Sequence, residues 1–152
     1  MHQDVVILVA DDDEGHAALT CKSMKRAGIN NPTMVFRDGE QLLDFLFERE
    51  PRSRLEEDTP YLVLLDLMMP RVNGIEVLRQ IKSHPDLKRV PVVMLSSTDD
   101  PEVIDLCYNL GCSSYMVKPV DPKHYGEAVR KIGLYLTAAE IPPVRRRRTN
   151  GR

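Results

Sequence analysis

Five short apolar runs, each followed by a stretch of helical period, constrain this chain more than any other feature. The first, Val5-Val6-Ile7-Leu8-Val9-Ala10, is continuous and rich in β-branched residues, the pattern of a strand buried on both faces. From Glu14 to Ala27, residues Ala17, Ala18, Cys21 and Met24 fall at helical spacing, and Gly28 ends the helix. Thr33 to Phe36 reads as the second strand, and Asp38 as the cap of a helix through Leu42, Leu43, Leu46 and Phe47. Glu48 to Pro60 is charged and holds Pro51 and Pro60, so it reads as an exposed loop, long for its class. Tyr61 to Leu65 is the third strand, and Gly74 to Ser83 a helix built on Ile75, Leu78 and Ile81. Val90 to Leu95 is the fourth strand, followed by a helix from Pro101 to Leu110 that stops at Gly111. Ser114 to Val117 is the fifth strand, and the last helix starts near Pro122 with the stripe Tyr125, Val129, Ile132 and Leu136. This order predicts an α/β fold, a parallel sheet with helices on both faces.

Open parallel sheets bind ligands outside the carboxyl ends of their strands, so the residues after each run are the ones to read for chemistry. They are Asp11-Asp12-Asp13 after the first run, Asp66 after the third, Ser96-Ser97-Thr98 at the end of the fourth and Lys118-Pro119 after the fifth. Singly, each has a bland reading: three aspartates make a solvated turn or a helix cap, and a Ser-Ser-Thr run makes a loop or an N-cap. Their weight comes from falling at the ends of four strands of one sheet. Carboxylates gathered there repel one another and raise a pKa, a conflict that a hard divalent cation removes. Mg²⁺ takes oxygen ligands and is usually shared between one or two carboxylates and a phosphate. Asp12 and Asp66 are the candidate direct ligands, with Asp11 acting through water. Such a cation would shield Asp66 as it attacks an anionic phosphoryl group, whose oxygens Lys118 and the Ser96 hydroxyl would hold.

The segments Ile7 through Asp13, Leu64-Leu65-Asp66-Leu67-Met68-Met69-Pro70 with Asn73-Gly74, Val92 through Ser97, and Gly111 through Tyr115 to Val117-Lys118-Pro119 together resemble the receiver domains of bacterial response regulators. The resemblance covers about residues 5–137. It implies a flavodoxin-like (βα)5 sandwich of three layers with a five-stranded parallel sheet in the order 2-1-3-4-5. It implies a receiver domain over residues 1–140 that is phosphorylated on Asp66 by a sensor histidine kinase or a phosphotransfer protein. Asp11 and Asp12 match the acidic pair, and the backbone carbonyl of Met68 would join them and Asp66 as ligands of Mg²⁺. Ser96 matches the switch hydroxyl, Tyr115 the aromatic that follows the switch, and Lys118 the lysine, with a cis bond expected between Lys118 and Pro119. Two departures stand out. Ser96 replaces the commoner Thr but keeps the hydroxyl, and the Glu48–Pro60 loop is unusual. Together with the absence of an output domain, that loop makes the chain look like the small receivers paired with bacterial and cyanobacterial phytochrome histidine kinases. Output is expected through a protein surface made by the fourth helix, fifth strand and fifth helix, with a homodimer through that face as one form.

Other classes fit less well. A phosphohydrolase of the haloacid dehalogenase type also uses an aspartyl nucleophile but wants an acid two residues later, where this chain has Met68. A flavin mononucleotide binder of the same fold class needs a hydroxyl- and glycine-rich loop after the first strand, where this chain has three aspartates. The chain has 21 Lys and Arg against 23 Asp and Glu, but residues 141–152 hold five arginines and no acid, which leaves the body at −7. An acidic body argues against nucleic-acid binding by the fold, and no helix-turn-helix segment follows residue 137. The tail can contact phosphates only without regard to sequence; its two prolines stop a helix, and residues 141–152 are expected to be disordered. No apolar run approaches the ~20 residues that span a bilayer, and Met1-His2-Gln3-Asp4 is no signal peptide, so a cytoplasmic location with no membrane contact is expected. Three cysteines without a C-x-x-C pair exclude a disulfide framework, and the four histidines, His2, His16, His84 and His124, are scattered and read as surface residues.

Overall fold

The structure, a computed structural model, describes residues 5–49 and 58–144. Ten elements alternate: β1 (Val6–Ala10), α1 (Glu14–Arg26), β2 (Thr33–Phe36), α2 (Gly39–Leu46), β3 (Tyr61–Leu65), α3 (Gly74–Ser83), β4 (Val92–Ser96), α4 (Pro101–Leu110), β5 (Ser114–Val117) and α5 (Pro122–Ala138). The five strands form one sheet in the order β2-β1-β3-β4-β5, and every pairing is parallel. This is the flavodoxin-like order that the family resemblance implies.

Alternation of side chains along each strand divides the core in two. Leu8, Ala10, Val63, Leu65, Val92 and Met94 point to the face covered by α2, α3 and α4, where they meet Leu42, Leu43, Leu78, Ile81 and Cys107. Ile7, Val9, Leu62, Leu64, Val93 and Leu95 point to the face covered by α1 and α5, where they meet Met24, Tyr125, Val129 and Ile132. That is why β1, β3 and β4 read as unbroken apolar runs: both of their faces are covered. Each of the larger of these side chains contributes roughly 1.5–3 kcal/mol on burial, which centres the core on β1, β3 and β4. The helices begin where local chemistry supplies a cap. Asp13, Asp38, Asn73, Asp100 and Asp121 each accept a backbone N–H of the following turn through the side chain. Gly111 adopts φ +108 at the end of α4, the left-handed geometry that favours glycine.

Two expectations need correcting. Composition predicts disorder from Ile141 onward, yet the first four residues of that segment are packed. Ile141 lies against the α1–α5 side of the core, and Val144, only 4% exposed, joins the other side. The Val144 N–H donates to the Thr59 carbonyl at 3.0 Å, and the Asp58 N–H donates to the Val144 carbonyl at 3.0 Å. The segment therefore passes under the sheet where β3 begins. The prolines do stop the helix, but an extended chain still buries an apolar side chain once its backbone groups find partners. The arginine-rich residues 145–152 and residues 50–57 of the long loop lie outside the described residues. The second correction concerns Lys118 and Pro119. No peptide bond among the described residues is cis, so this one is trans, the form an X–Pro bond prefers by roughly 0.5–1 kcal/mol.

Candidate functional site: an acidic cluster at the strand ends

Strand register alone places the key residues side by side. Ala10 is opposite Leu65 and Leu65 opposite Met94, while Ser96 is opposite Val117. The ladder continues one step past the strands: the Asp66 N–H donates to the Ala10 carbonyl at 2.9 Å and the Lys118 N–H to the Ser96 carbonyl at 2.7 Å. Asp11 therefore sits beside Asp66, and Lys118 beside Ser96. The connection from β3 into α3 is tight around this point. A Cβ on Gly74 would lie 2.3 Å from the Asp66 carbonyl oxygen, so only glycine fits there.

Carboxylate oxygens of Asp11, Asp12 and Asp66 all lie within 4.8 Å of one another. Asp11 is buried and both of its oxygens are engaged: the Asp13 N–H donates to Oδ1 at 3.0 Å, and Lys118 Nζ donates to Oδ2 at 2.8 Å. Asp12 is exposed and makes no hydrogen bond or ion pair among the described residues. Asp66 is 9% exposed, and Lys118 Nζ is 3.7 Å from its Oδ2. Burial pushes the Asp66 carboxyl up to about 6; Lys118 opposes this, Asp11 adds to it, and the backbone N–H groups of Met68 and Leu67 oppose it. Burial alone would lower the pKa of Lys118, but the hydrogen bond to Asp11 and the charges of Asp66 and Asp11 outweigh it and raise the pKa. A lysine that stays charged is thus held against two carboxylates that it only partly neutralises. All-oxygen donors, a residual negative charge and an unengaged Asp12 fit a hard divalent cation.

Ser96 is completely buried, and its Oγ accepts the Thr98 N–H at 3.3 Å. The Thr98 carbonyl in turn accepts the Tyr115 hydroxyl at 2.8 Å. The backbone of Thr98 therefore joins Ser96 to Tyr115, a link that no spacing in the sequence reveals. Met68 is 69% exposed; it offers no acid two residues after Asp66, so the phosphohydrolase reading is not supported. His16, read from the sequence as a surface residue, turns one ring nitrogen onto Lys118. Its side chain is indeed half-exposed, and the contact spans 102 residues of sequence, so no local signal could have shown it.

Fold and site together define a signalling receiver built around a strand-end aspartate. The chain belongs to the response regulator receiver domain family, whose model matches residues 7–130. It is 32% identical over 143 residues to response regulator Rcp1 of Synechocystis sp. PCC 6803, covering 90% of this chain and 92% of Rcp1. Among solved structures, a response regulator receiver domain from Rhodospirillum rubrum superposes with a TM-score of 0.85 at 38% identity, covering 93% of this chain and 99% of that one. The Mn²⁺-bound form of Rcp1 gives 0.81 at 31% identity, covering 90% and 98%. The phosphorylated cyanobacterial phytochrome response regulator RcpA gives 0.82 at 28% identity, covering 90% and 97%. No helix among the described residues is long and apolar enough to cross a membrane.

Proposed function

We propose that this receiver takes a phosphoryl group onto Asp66 from the phosphohistidine of a sensor kinase or phosphotransfer protein, with Mg²⁺ held by Asp12, Asp66 and the Met68 carbonyl and, through water, by Asp11. The observation that carries the reading is the geometry of the cluster: a buried Asp66 carboxyl with Asp11 and Asp12 oxygens within 4.8 Å and Lys118 Nζ 3.7 Å from its Oδ2. Asp66 attacks phosphorus in line; the new P–O bond forms as the P–N bond to the donor imidazole breaks. Mg²⁺, when bound, supplies charge that lets one anion approach another. Lys118 turns from Asp11 towards the phosphoryl oxygens, and the Ser96 hydroxyl donates to one of them. Because Thr98 bonds both Ser96 and Tyr115, movement of the loop after β4 carries Tyr115 with it. Output then follows at the α4–β5–α5 face. Leu106, Tyr108 and Val117 expose apolar surface there, and the Tyr115 N–H donates to the Tyr108 hydroxyl at 3.1 Å.

Likeness to the cyanobacterial phytochrome response regulator RcpA supports a kinase of the phytochrome type as the donor; the exposed apolar side chains of Leu106, Tyr108 and Val117 support a homodimer through the α4–β5–α5 face as one form of the output. The three free cysteines suit the reducing cytoplasm. Treatment with acetyl phosphate and Mg²⁺ should give a single adduct at Asp66 by mass spectrometry. An adduct of equal yield on Asp66→Asn refutes the assignment. Hydrogen exchange on the same adduct should change within residues 99–137; protection changes confined elsewhere refute the output face.

A further inference from the structure

We propose that His16 is a positioning residue for Lys118, accepting one of its ammonium protons on Nδ1 and so fixing the direction in which Lys118 presents a proton to the acceptor carboxylate. The inference rests on the reading of Asp66 as phosphoacceptor and adds a residue to that machinery.

A lysine ammonium has three protons to donate and nothing to accept with. One proton of Lys118 goes to Asp11 Oδ2 at 2.8 Å. A second meets His16 Nδ1 at 3.4 Å. The third is left for Asp66, whose Oδ2 lies 3.7 Å away. With Lys118 only 8% exposed, water is a poor substitute for any of the three. Because the ammonium can only donate, Nδ1 must carry a lone pair, so the ring in this contact is neutral with its proton on Nε2. The ring hangs from a fixed point, since the His16 backbone N–H donates to the Asp13 cap at 3.1 Å. It also borders a cleft of about 240 Å³ shared with Leu19, Lys118 and Tyr125.

The same geometry makes the arrangement reversible. The groups facing the ring are Lys118 from the β5–α5 connection, Asp13 at the start of α1, with Nδ1 to Oδ2 3.8 Å, and the Tyr125 hydroxyphenyl of α5 across the cleft. The Asp13 carboxyl is held below the usual range, chiefly by the His16 backbone N–H, so it is anionic throughout the range where histidine titrates. A protonated ring has no lone pair for Lys118 and stands beside it as a like charge, and Asp13 is its natural partner. Protonation therefore transfers His16 from Lys118 to Asp13 and releases the third support of the ammonium.

The test is the rate of phosphorylation by acetyl phosphate with saturating Mg²⁺ between pH 5.5 and 8, for the 152-residue chain and its His16→Ala and His16→Gln variants. Gln offers an uncharged acceptor that does not titrate. At pH 7.5 His16→Ala should be slower by about three- to tenfold, the loss expected when a long hydrogen bond to a charged group goes, while His16→Gln stays within about twofold of the parent. On lowering the pH the parent should fall relative to His16→Gln by a similar factor. The titration of Asp66 is common to all three proteins, so the ratio isolates His16. A second readout needs no phosphoryl transfer: the ¹⁵N signal of the Lys118 ammonium should be protected from exchange at pH 7.5 in the parent and lost in His16→Ala. Superimposable rates and pH profiles, or equal ammonium protection in His16→Ala, overturn the proposal. Asp66→Asn run alongside separates the two failures: an adduct that persists there refutes the phosphoacceptor reading, whereas its loss with flat His16 ratios refutes His16 alone.

Discussion

Replacing Asp66 by Asn should make the protein more stable at neutral pH and change it little in acid. An ordinary aspartate titrates near 3.8, whereas Asp66 in the folded protein titrates at about 6. Between those values the folded state keeps a proton that the unfolded chain has already lost. Stability therefore falls as pH rises from about 4 to about 6 and stays lowered above that range. The whole difference corresponds to about 3 kcal/mol, a large part of the roughly 5–15 kcal/mol that separates folded from unfolded domains. Asn keeps the shape of the carboxyl and cannot ionise. Urea unfolding of both proteins in EDTA should show a difference below about 1 kcal/mol at pH 4 and of about 2–3 kcal/mol in favour of Asn at pH 7.5. Wild type equal to or more stable than Asn at pH 7.5 would mean that the attraction of Lys118 exceeds the effects of burial and of Asp11. The account of the site as electrostatically strained would then be wrong.

Cation binding should depend more on Asp12 than on Asp11, because both oxygens of Asp11 are already engaged. Calorimetric titration with Mg²⁺ or Mn²⁺ should show the affinity of Asp12→Ala reduced by roughly tenfold or more, and an unchanged affinity would remove Asp12 from the ligand set. EDTA should stop phosphotransfer while leaving the circular dichroism spectrum intact, since the core is built without the metal; unfolding on chelation would contradict that. Val144→Ala should destabilise the protein by about 1.5 kcal/mol, from about 0.8 kcal/mol for each buried carbon removed, measured by the urea midpoint. A midpoint identical to the parent would show that the strap under the sheet contributes nothing.

The five strands and the strand-end residues are legible in the sequence because a parallel sheet covered on both faces leaves continuous apolar runs, and register places the residue after each run. Asp38 as a cap and Gly111 as a stop are legible for a local reason, since both act within one turn. The features that stay hidden depend on contacts between distant segments. Val144 is a lone apolar residue after two prolines and has no period to reveal it; it is held by Thr59 and Asp58. The contact of His16 with Lys118 and the bridge from Ser96 through Thr98 to Tyr115 join elements that only the sheet brings together. The trans bond at Pro119 goes against an expectation that comes from family resemblance and not from the residues themselves.

Electrostatic strain and rigidity are coupled in this molecule. Two carboxylates and an ammonium can be held off balance only if the backbone that carries them does not relax, and the central strands meet that condition. Ile7, Leu8, Leu62, Val63, Leu65, Val92 and Met94 are completely buried, so the strand ends are fixed by the core and not by the charges they bear. Asp66 cannot drift from Asp11 to ease the repulsion, and the strain is relieved only by adding positive charge or a proton. The neighbouring Ser96 and Tyr115, proposed as the switch residues, have the opposite character. The Ser96 hydroxyl accepts a long bond from the Thr98 N–H and also meets the Tyr115 hydroxyl, and Tyr115 is anchored to the Thr98 carbonyl as well. In the proposed cycle a new acceptor at Asp66 would compete with the long contact at Ser96, and whatever moved Thr98 would move the anchor of Tyr115. Placing the strain on buried strands and the long contact in a loop is the arrangement by which, in the proposed cycle, a change of charge at one atom would become a change of shape at a surface.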